Sequence, residues 1–101
     1  MSRRQQIEGL LIDDPDDTFL NYALAKEFVG EGRVEAGIAA FDRVLQLDPH
    51  YVAAYFQKAQ TLAIEGEVES ARDVLVRGIS VAEQVGDTHA AGEMTAYLDT
   101  L

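Results

Sequence analysis

The sequence predicts an all-α protein built from antiparallel helical hairpins, with about six helices. Three observations predict this class: a repeat at a fixed offset, apolar residues at three- and four-residue steps, and short connections. Asp14-Pro15 recurs 34 positions later as Asp48-Pro49, and Glu31-Gly32 recurs at the same offset as Glu65-Gly66. A fixed period between ~20 and ~50 residues is typical of proteins whose repeated units stack and bury their apolar faces on each other.

The first two helices are predicted at about 2–12 and 17–30, where apolar residues form one stripe. Asp13-Asp14-Pro15 ends the first helix, because the residue before a proline disfavours the α conformation. Asp16 or Asp17 can cap the second helix, since a carboxylate there accepts a backbone N–H and interacts favourably with the helix dipole.

The third and fourth helices are predicted at about 34–47 and 51–65, again from apolar residues at helical spacing. The third ends at Asp48-Pro49 for the same reason as the first. The fourth ends at Gly66, as the second ends at Gly30 and Gly32. No segment shows the strict alternation of apolar and polar residues that would predict a strand.

The fifth helix is predicted at about 68–85 and the last at about 88–99. Position 83 holds glutamate where the repeat would place a proline, so we expect the fifth helix to run on to Gly86. Connections of two to four residues between helices force neighbouring helices to be antiparallel.

The composition narrows the class of function. With 101 residues the chain has room for one domain, and 48% hydrophobic residues suffice for a core. Eight basic and 18 acidic side chains give a net charge of −10, which repels phosphate and disfavours nucleic acid and anionic membranes as partners. The absence of cysteine excludes a disulfide framework and a cysteine-based metal site but leaves the redox compartment open. Without a signal sequence or a long apolar run, the chain is expected to be a soluble, cytoplasmic protein, and no cofactor is expected.

The two repeated segments of the chain resemble a known protein family. Segment 18–51 resembles a tetratricopeptide repeat, and segment 52–85 resembles a second. The matching residues of the first segment are Leu24, Ala25, Phe28, Gly32, Ile38, Phe41, Val44, Leu45, Asp48 and Pro49. Those of the second are Tyr55, Ala59, Leu62, Gly66, Ala71, Leu75, Gly78 and Ile79. Residues 2–15 resemble the back half of a preceding repeat, and 86–101 a capping helix. The resemblance implies a single domain, 1–101, folded as a right-handed superhelical stack of antiparallel helical hairpins.

Four positions depart from the family pattern. Asn21 stands where a large aromatic residue is usual, Lys58 where leucine is usual, and Glu83 where proline is usual. Gly37 replaces an alanine, which allows helices to approach closely but costs ~1 kcal/mol of helix propensity. The alanines that the pattern does place, at 25 and 59, let helix axes approach to ~8–10 Å.

The resemblance implies protein–protein recognition on a concave groove lined by the first helix of each hairpin. Aromatic rings would supply buried area there, while glutamines would hydrogen-bond the backbone of an extended peptide or partner segment. The predicted groove residues are Phe19, Tyr22, Lys26, Val29, Phe56, Gln57, Gln60, Ile64, His89 and Glu93.

Some members of this family hold a partner's C-terminal carboxylate with a cluster of lysine, arginine and asparagine. Lys26 stands at one matching position, but Tyr22, Gln57 and the last helix do not supply the other groups. A single lysine does not fix a carboxylate as a multidentate cluster would. The acidic surface therefore favours a partner with basic or aliphatic character.

Catalytic and metal-binding functions have little support in the sequence. His89 and Glu93 lie at i and i+4 but lack a third ligand at a recognisable spacing. The acidic cluster 13–17 lacks the glycine and terminal glutamate of an EF-hand loop, so helix capping explains it better than Ca²⁺ binding. Phosphate-binding loops and nucleophile motifs are also missing, so we predict no enzymatic activity and no metal site.

Self-association is the alternative function. About two and a half repeats leave the outer faces of the first and last helices open, and stacked-repeat proteins need polar caps there. The tail 97–101 carries apolar residues that a second copy would cover. The alternative is therefore a homodimer or higher assembly formed through the last helix or the concave face.

Overall fold

The computed structural model describes all 101 residues and contains six α-helices and no strand, which confirms the predicted all-α class. The helices are α1 (Arg3–Asp13), α2 (Thr18–Gly30), α3 (Val34–Leu47), α4 (Val52–Ile64), α5 (Val68–Gln84) and α6 (Thr88–Asp99). Each predicted helix is present, with ends that differ by at most one residue. The chain divides into two compact units, the N-terminal unit Met1–Pro49 and the C-terminal unit His50–Leu101. No helix is both long enough and apolar enough to span a membrane.

In the N-terminal unit, α2 packs against both α1 and α3. The fully buried side chains at the α2–α3 contact are Ala25, Phe41 and Val44. Gly37 lies at the start of α3 against the second half of α2, where an added Cβ would stand 2.6 Å from Val29 Cγ2. The close approach therefore depends on small residues on both helices, as predicted for positions 25 and 37.

The C-terminal unit brings three helices together, because α5 packs against both α4 and α6. Its fully buried side chains include Ala59, Leu75 and Met94. Gly78 of α5 lies where α4 and α6 both approach, next to Tyr55 and Met94. The small residues Ala59 and Gly78 thus permit close packing, while Leu75 and Met94 fill the remaining space.

Three helices end with the same hydrogen-bonded turn. At the end of α2, Gly32 N–H donates to the Val29 carbonyl at 3.0 Å and Arg33 N–H donates to the Phe28 carbonyl at 2.9 Å. This pair of bonds is the Schellman motif, which requires a left-handed residue, and Gly32 has φ +79°. Gly66 and Gly86, with φ +85° and +78°, close α4 and α5 in the same way.

The helix starts show which aspartates act as caps. Asp17 Oδ1 accepts the Leu20 N–H at 2.8 Å, and Asp87 Oδ1 accepts the Ala90 N–H at 3.0 Å. Of Asp16 and Asp17, the two predicted candidates, Asp17 therefore caps α2. Ser2 caps α1 through a reciprocal capping box with Gln5, which the apolar pattern alone did not indicate.

Asn21 is the departure from the family pattern that the structure explains most fully. Its side chain is buried, and Nδ2 donates to the carbonyls of Pro15 at 3.1 Å and Asp17 at 2.8 Å. The amide therefore holds the turn between α1 and α2 in place of the packing that an aromatic ring would supply. Glu83 has the consequence predicted for it, because α5 continues for 17 residues whereas α3 has 14.

Candidate functional site

The predicted residues of α2 form one face of the helix, on which two side chains are exposed and two also pack against α3. Phe19 is 67% exposed and Lys26 is also exposed, whereas Tyr22 and Val29 are half-buried. The Tyr22 ring packs against the buried Phe41 ring with 6.0 Å between centroids, and Lys26 Nζ lies 5.7 Å from the Tyr22 ring centroid. The face therefore combines a fixed aromatic ring, a cation above it and a free phenyl group.

The predicted residues of α4 form a second face, in the C-terminal unit. Ile64 is 81% exposed at the end of the helix, while Phe56, Gln57 and Gln60 are half-buried. The Phe56 ring is tilted against the ring of Tyr97, with 5.7 Å between centroids. Tilted pairs at this spacing are favourable, so the two rings hold each other in place.

The predicted residues of α6 are exposed and paired with each other. His89 Nε2 lies 3.2 Å from Glu93 Oε1, with side-chain exposures of 87% and 53%. Tyr97 lies one turn beyond Glu93 on the same side of α6, and its ring contacts the Phe56 ring of α4. Sequence reasoning missed Tyr97 as a face residue, although the i, i+4, i+8 spacing from His89 was visible.

A polar cluster at the α1–α2 contact is structural. The Arg4 guanidinium donates to both carboxylate oxygens of Glu31, at 3.0 and 2.9 Å, and to Glu8 at 2.9 Å. The hydrogen bond to Glu31 raises the pKa of Arg4 above its usual value, against the opposing effect of desolvation. The guanidinium groups of Arg4 and Arg33 lie 5.8 and 4.9 Å from the Phe28 ring centroid. These contacts fasten α1 to the end of α2.

The candidate metal ligands do not assemble further. His89 and Glu93 form a pair, and no three histidine, aspartate or glutamate side chains are placed so that they could hold a metal ion. In the acidic segment after α1, Asp17 caps α2 and Asp16 Oδ1 lies 2.5 Å from Arg43 Nη2. Capping and ion pairing thus account for these two carboxylates.

Comparison with known proteins identifies the family. The family model for the tetratricopeptide repeat matches residues 28–91, and the chain belongs to this family. A TPR repeat-containing protein of Pseudomonas aeruginosa is 27% identical over 95 residues, covering 94% of this chain and 90% of that protein.

Solved structures show the same fold. A tetratricopeptide repeat domain protein from Salinibacter ruber superimposes with a TM-score of 0.81 and 28% identity, over 86% of this chain and 88% of that one. PcrH, solved in complex with the chaperone-binding region of PopD, has a TM-score of 0.88 at 15% identity, over 96% of this chain and 74% of that one. At that identity the likeness to PcrH concerns the fold alone.

Proposed function

We propose that this chain is a protein-interaction module that binds a peptide or partner segment through the predicted groove residues. The exposure of Phe19 and Ile64 carries the proposal, because both bulky apolar side chains stand in solvent at positions predicted to face a partner. Each lies on the face of its own helix with further predicted groove residues, and apolar side chains exposed on a surface often mark interaction sites. None of the ten predicted residues is buried.

The side-chain chemistry of the faces supports a peptide ligand. Tyr22 and Phe56 are each held by a neighbouring ring, so they would lose little conformational freedom on binding. Gln57 and Gln60 carry both donors and acceptors, which suit the backbone of an extended peptide. PcrH, which shares the fold, was solved with a bound segment of another protein, and a binding role also accords with a fold that is typically non-enzymatic.

The charge of the chain supports a basic or aliphatic partner. A net charge of −10 attracts a basic segment over a distance of about 10 Å at 0.1 M salt. Lys26 and His89 are the basic groups among the predicted residues, and His89 is paired with Glu93. We expect the association rate to fall as salt rises, while the apolar contacts of Phe19 and Ile64 maintain binding at higher salt.

The test begins with affinity capture from a lysate and identification of the bound protein by mass spectrometry. The binding segment is then synthesised as a peptide, and its affinity for the pure chain is measured by calorimetry. Ile64→Ser should weaken binding by about tenfold or more, since a buried aliphatic contact is worth ~1.5–3 kcal/mol.

The matched control is Ile12→Ser, because Ile12 and Ile64 are both 81% exposed but Ile12 lies on α1, outside the predicted residues. Serine at either position should leave the helix content unchanged. If the Ile64→Ser variant binds the peptide as tightly as the parent chain, binding through the groove residues is refuted. It is also refuted if the Ile12→Ser control loses as much affinity as Ile64→Ser. Phe19→Ala offers a second variant for the face on α2, also with an exposed side chain.

A further inference from the structure

One side of α5 is largely exposed, and its charged and apolar residues are arranged symmetrically about a midpoint. Arg72, Val76, Ile79, Ser80 and Glu83 follow one another at i, i+4, i+7, i+8 and i+11, so they lie along one side of the helix. We call this set the α5 stripe. It is distinct from the buried face of α5, which is formed by Ala71, Val74, Leu75, Gly78 and Ala82 and packs within the C-terminal unit.

The α5 stripe is apolar in the middle and accessible. Val76 is 58% exposed, Ile79 is half-buried, and Ser80 and Glu83 are exposed. A shallow depression of about 400 Å³ lies along the helix here, lined by Val76, Ile79, Ser80, Glu83 and Gln84. An exposed valine and a half-buried isoleucine one turn apart in a depression give a second helix an apolar surface on which to pack.

The order of charges along the stripe indicates what covers it. Arg72 and Glu83 have the same midpoint as Val76 and Ile79, between residues 77 and 78. If two copies of α5 cross antiparallel about a two-fold axis at that midpoint, Arg72 of each copy faces Glu83 of the other, and Val76 faces Ile79. In a two-fold interface every contact occurs twice, so one stripe supplies two ion pairs and two apolar contacts.

The dimensions agree with this arrangement. Arg72 and Glu83 are separated by about 16 Å along the helix axis at 1.5 Å per residue, so the ion pairs would flank the apolar centre. Ser80 is small enough to let the helix axes approach to ~8–10 Å. Arg72 already interacts with Glu69 and the Leu101 carbonyl, but a guanidinium has five N–H donors and retains some for a further carboxylate.

We propose that the α5 stripe is a homodimer interface in which a second copy of this chain packs antiparallel on α5. The surface differs from the last helix and the concave face on which the sequence alone suggested self-association. It is also independent of the proposed partner-binding function, because none of the groove residues belongs to α5. A contact limited largely to one helix pair falls below the ~1,200 Å² of stable complexes, so we expect a weak dimer that dissociates on dilution.

Charge exchange tests the pairing directly, with sedimentation velocity at protein concentrations from about 10 µM to 1 mM. The parent chain should shift from monomer to dimer across this range. Arg72→Glu alone and Glu83→Arg alone should each weaken association by about tenfold or more, since each places like charges opposite each other at both ends of the interface. An equimolar mixture of these two variants should dimerise again, because every pair across the mixed dimer is then of opposite charge.

The double variant Arg72→Glu/Glu83→Arg should also regain the dimer. The matched controls are Arg77→Glu in α5 and Glu35→Arg in α3, which make the same kinds of charge change at exposed positions outside the stripe. Both controls should associate as the parent chain does. Circular dichroism verifies the folding of each variant; if Arg72→Glu unfolds because its contact with Leu101 is lost, Glu83→Arg and Val76→Asp provide the test.

The proposal is overturned if the parent chain is monomeric at 1 mM. It is equally overturned if a dimer forms but persists unchanged in folded Glu83→Arg and Val76→Asp variants, since the interface would then lie elsewhere. A failure of the two folded single variants to associate in the mixture would exclude the antiparallel pairing.

Discussion

Gly78 of α5 lies so close to Tyr55 of α4 that a Cβ atom at position 78 would stand 2.7 Å from the Tyr55 Cβ. The same added Cβ atom would also lie 2.7 Å from the Met94 sulfur of α6. A glycine inside a helix costs ~1 kcal/mol relative to alanine, so its place in the middle of α5 requires a compensating gain. The gain is the close approach of α4 and α6 to the same point of α5.

We therefore expect Gly78→Ala to destabilise the protein by ~1–3 kcal/mol, because overpacking outweighs the gain in helix propensity. The Met94 side chain is flexible and can move, but the Tyr55 Cβ is fixed to its backbone. Gly92→Ala is the matched control, since Gly92 lies inside α6 with open space around it. That variant should be more stable by up to ~1 kcal/mol.

Urea unfolding followed by circular dichroism measures both free energies of unfolding. The informative quantity is the difference in the free energy of unfolding between the two variants, which should be ~1–4 kcal/mol when the overpacking and propensity effects are combined. Two alanine variants of equal stability would show that α4 and α6 do not approach Gly78 as described.

Asn21 provides a second prediction, because its buried amide donates two hydrogen bonds to backbone carbonyls. Asn21→Ala should lower the free energy of unfolding by ~1–2 kcal/mol through the loss of these bonds. Asn21→Asp should cost more at neutral pH, since a carboxylate cannot donate and would face two carbonyl oxygens.

The penalty of Asn21→Asp should shrink as the pH falls toward ~4, the ordinary pKa of aspartate, because the protonated acid can donate again. Unfolding of the two variants at pH 7 and pH 4 distinguishes lost packing from lost hydrogen bonding. Gln46→Ala, at an exposed position of α3, is the control and should change stability by less than ~0.5 kcal/mol. If Asn21→Asp proves as stable as the parent chain at pH 7, the hydrogen bonds assigned to the amide are wrong.

The turn after α2 allows two neighbouring glycines to be compared. Gly32 has φ +79°, whereas Gly30 ends α2 without a positive φ and with open space around it. Gly32→Ala should destabilise by ~1–2 kcal/mol, the cost of a side chain in the left-handed conformation. Gly30→Ala should be neutral or stabilising by up to ~1 kcal/mol. The thermal unfolding midpoints of the two variants measure this difference. A Gly32→Ala variant more stable than the parent chain would contradict the Schellman turn.

Much of the fold could be predicted because its determinants are local. The 34-residue offset places Gly32 and Gly66 at equivalent turns, and both have the left-handed backbone that closes a helix. The missing proline at position 83 similarly predicted the longer α5. The role of Asn21 could not be predicted, since its hydrogen-bond acceptors belong to a turn whose geometry depends on how α1 meets α2.

The resemblance predicted which residues would line a groove, but not how their side chains contact one another. The resemblance placed Phe56 on the groove, and the structure leaves its side chain half-buried. Its contact with Tyr97 joins residues on two different helices, and spacing within one helix carries no information about such a pair. The α5 stripe could not be predicted for a related reason: helical spacing alone does not show which side of α5 its neighbouring helices cover.

Ala59 tests the register on which the C-terminal unit depends. Its side chain is fully buried in the middle of α4, which packs chiefly against α5. Ala59→Leu should destabilise by ~1–3 kcal/mol, because the added atoms force the neighbouring side chains or the helix axes to move. Ala53→Leu is the matched control at an exposed position near the start of the same helix and should change stability by less than ~0.5 kcal/mol. Thermal and urea unfolding of both leucine variants measure the contrast. An unchanged midpoint for Ala59→Leu would mean that another side of α4 faces α5, and the assignment of Phe56 and Ile64 to an exposed face would fail with it.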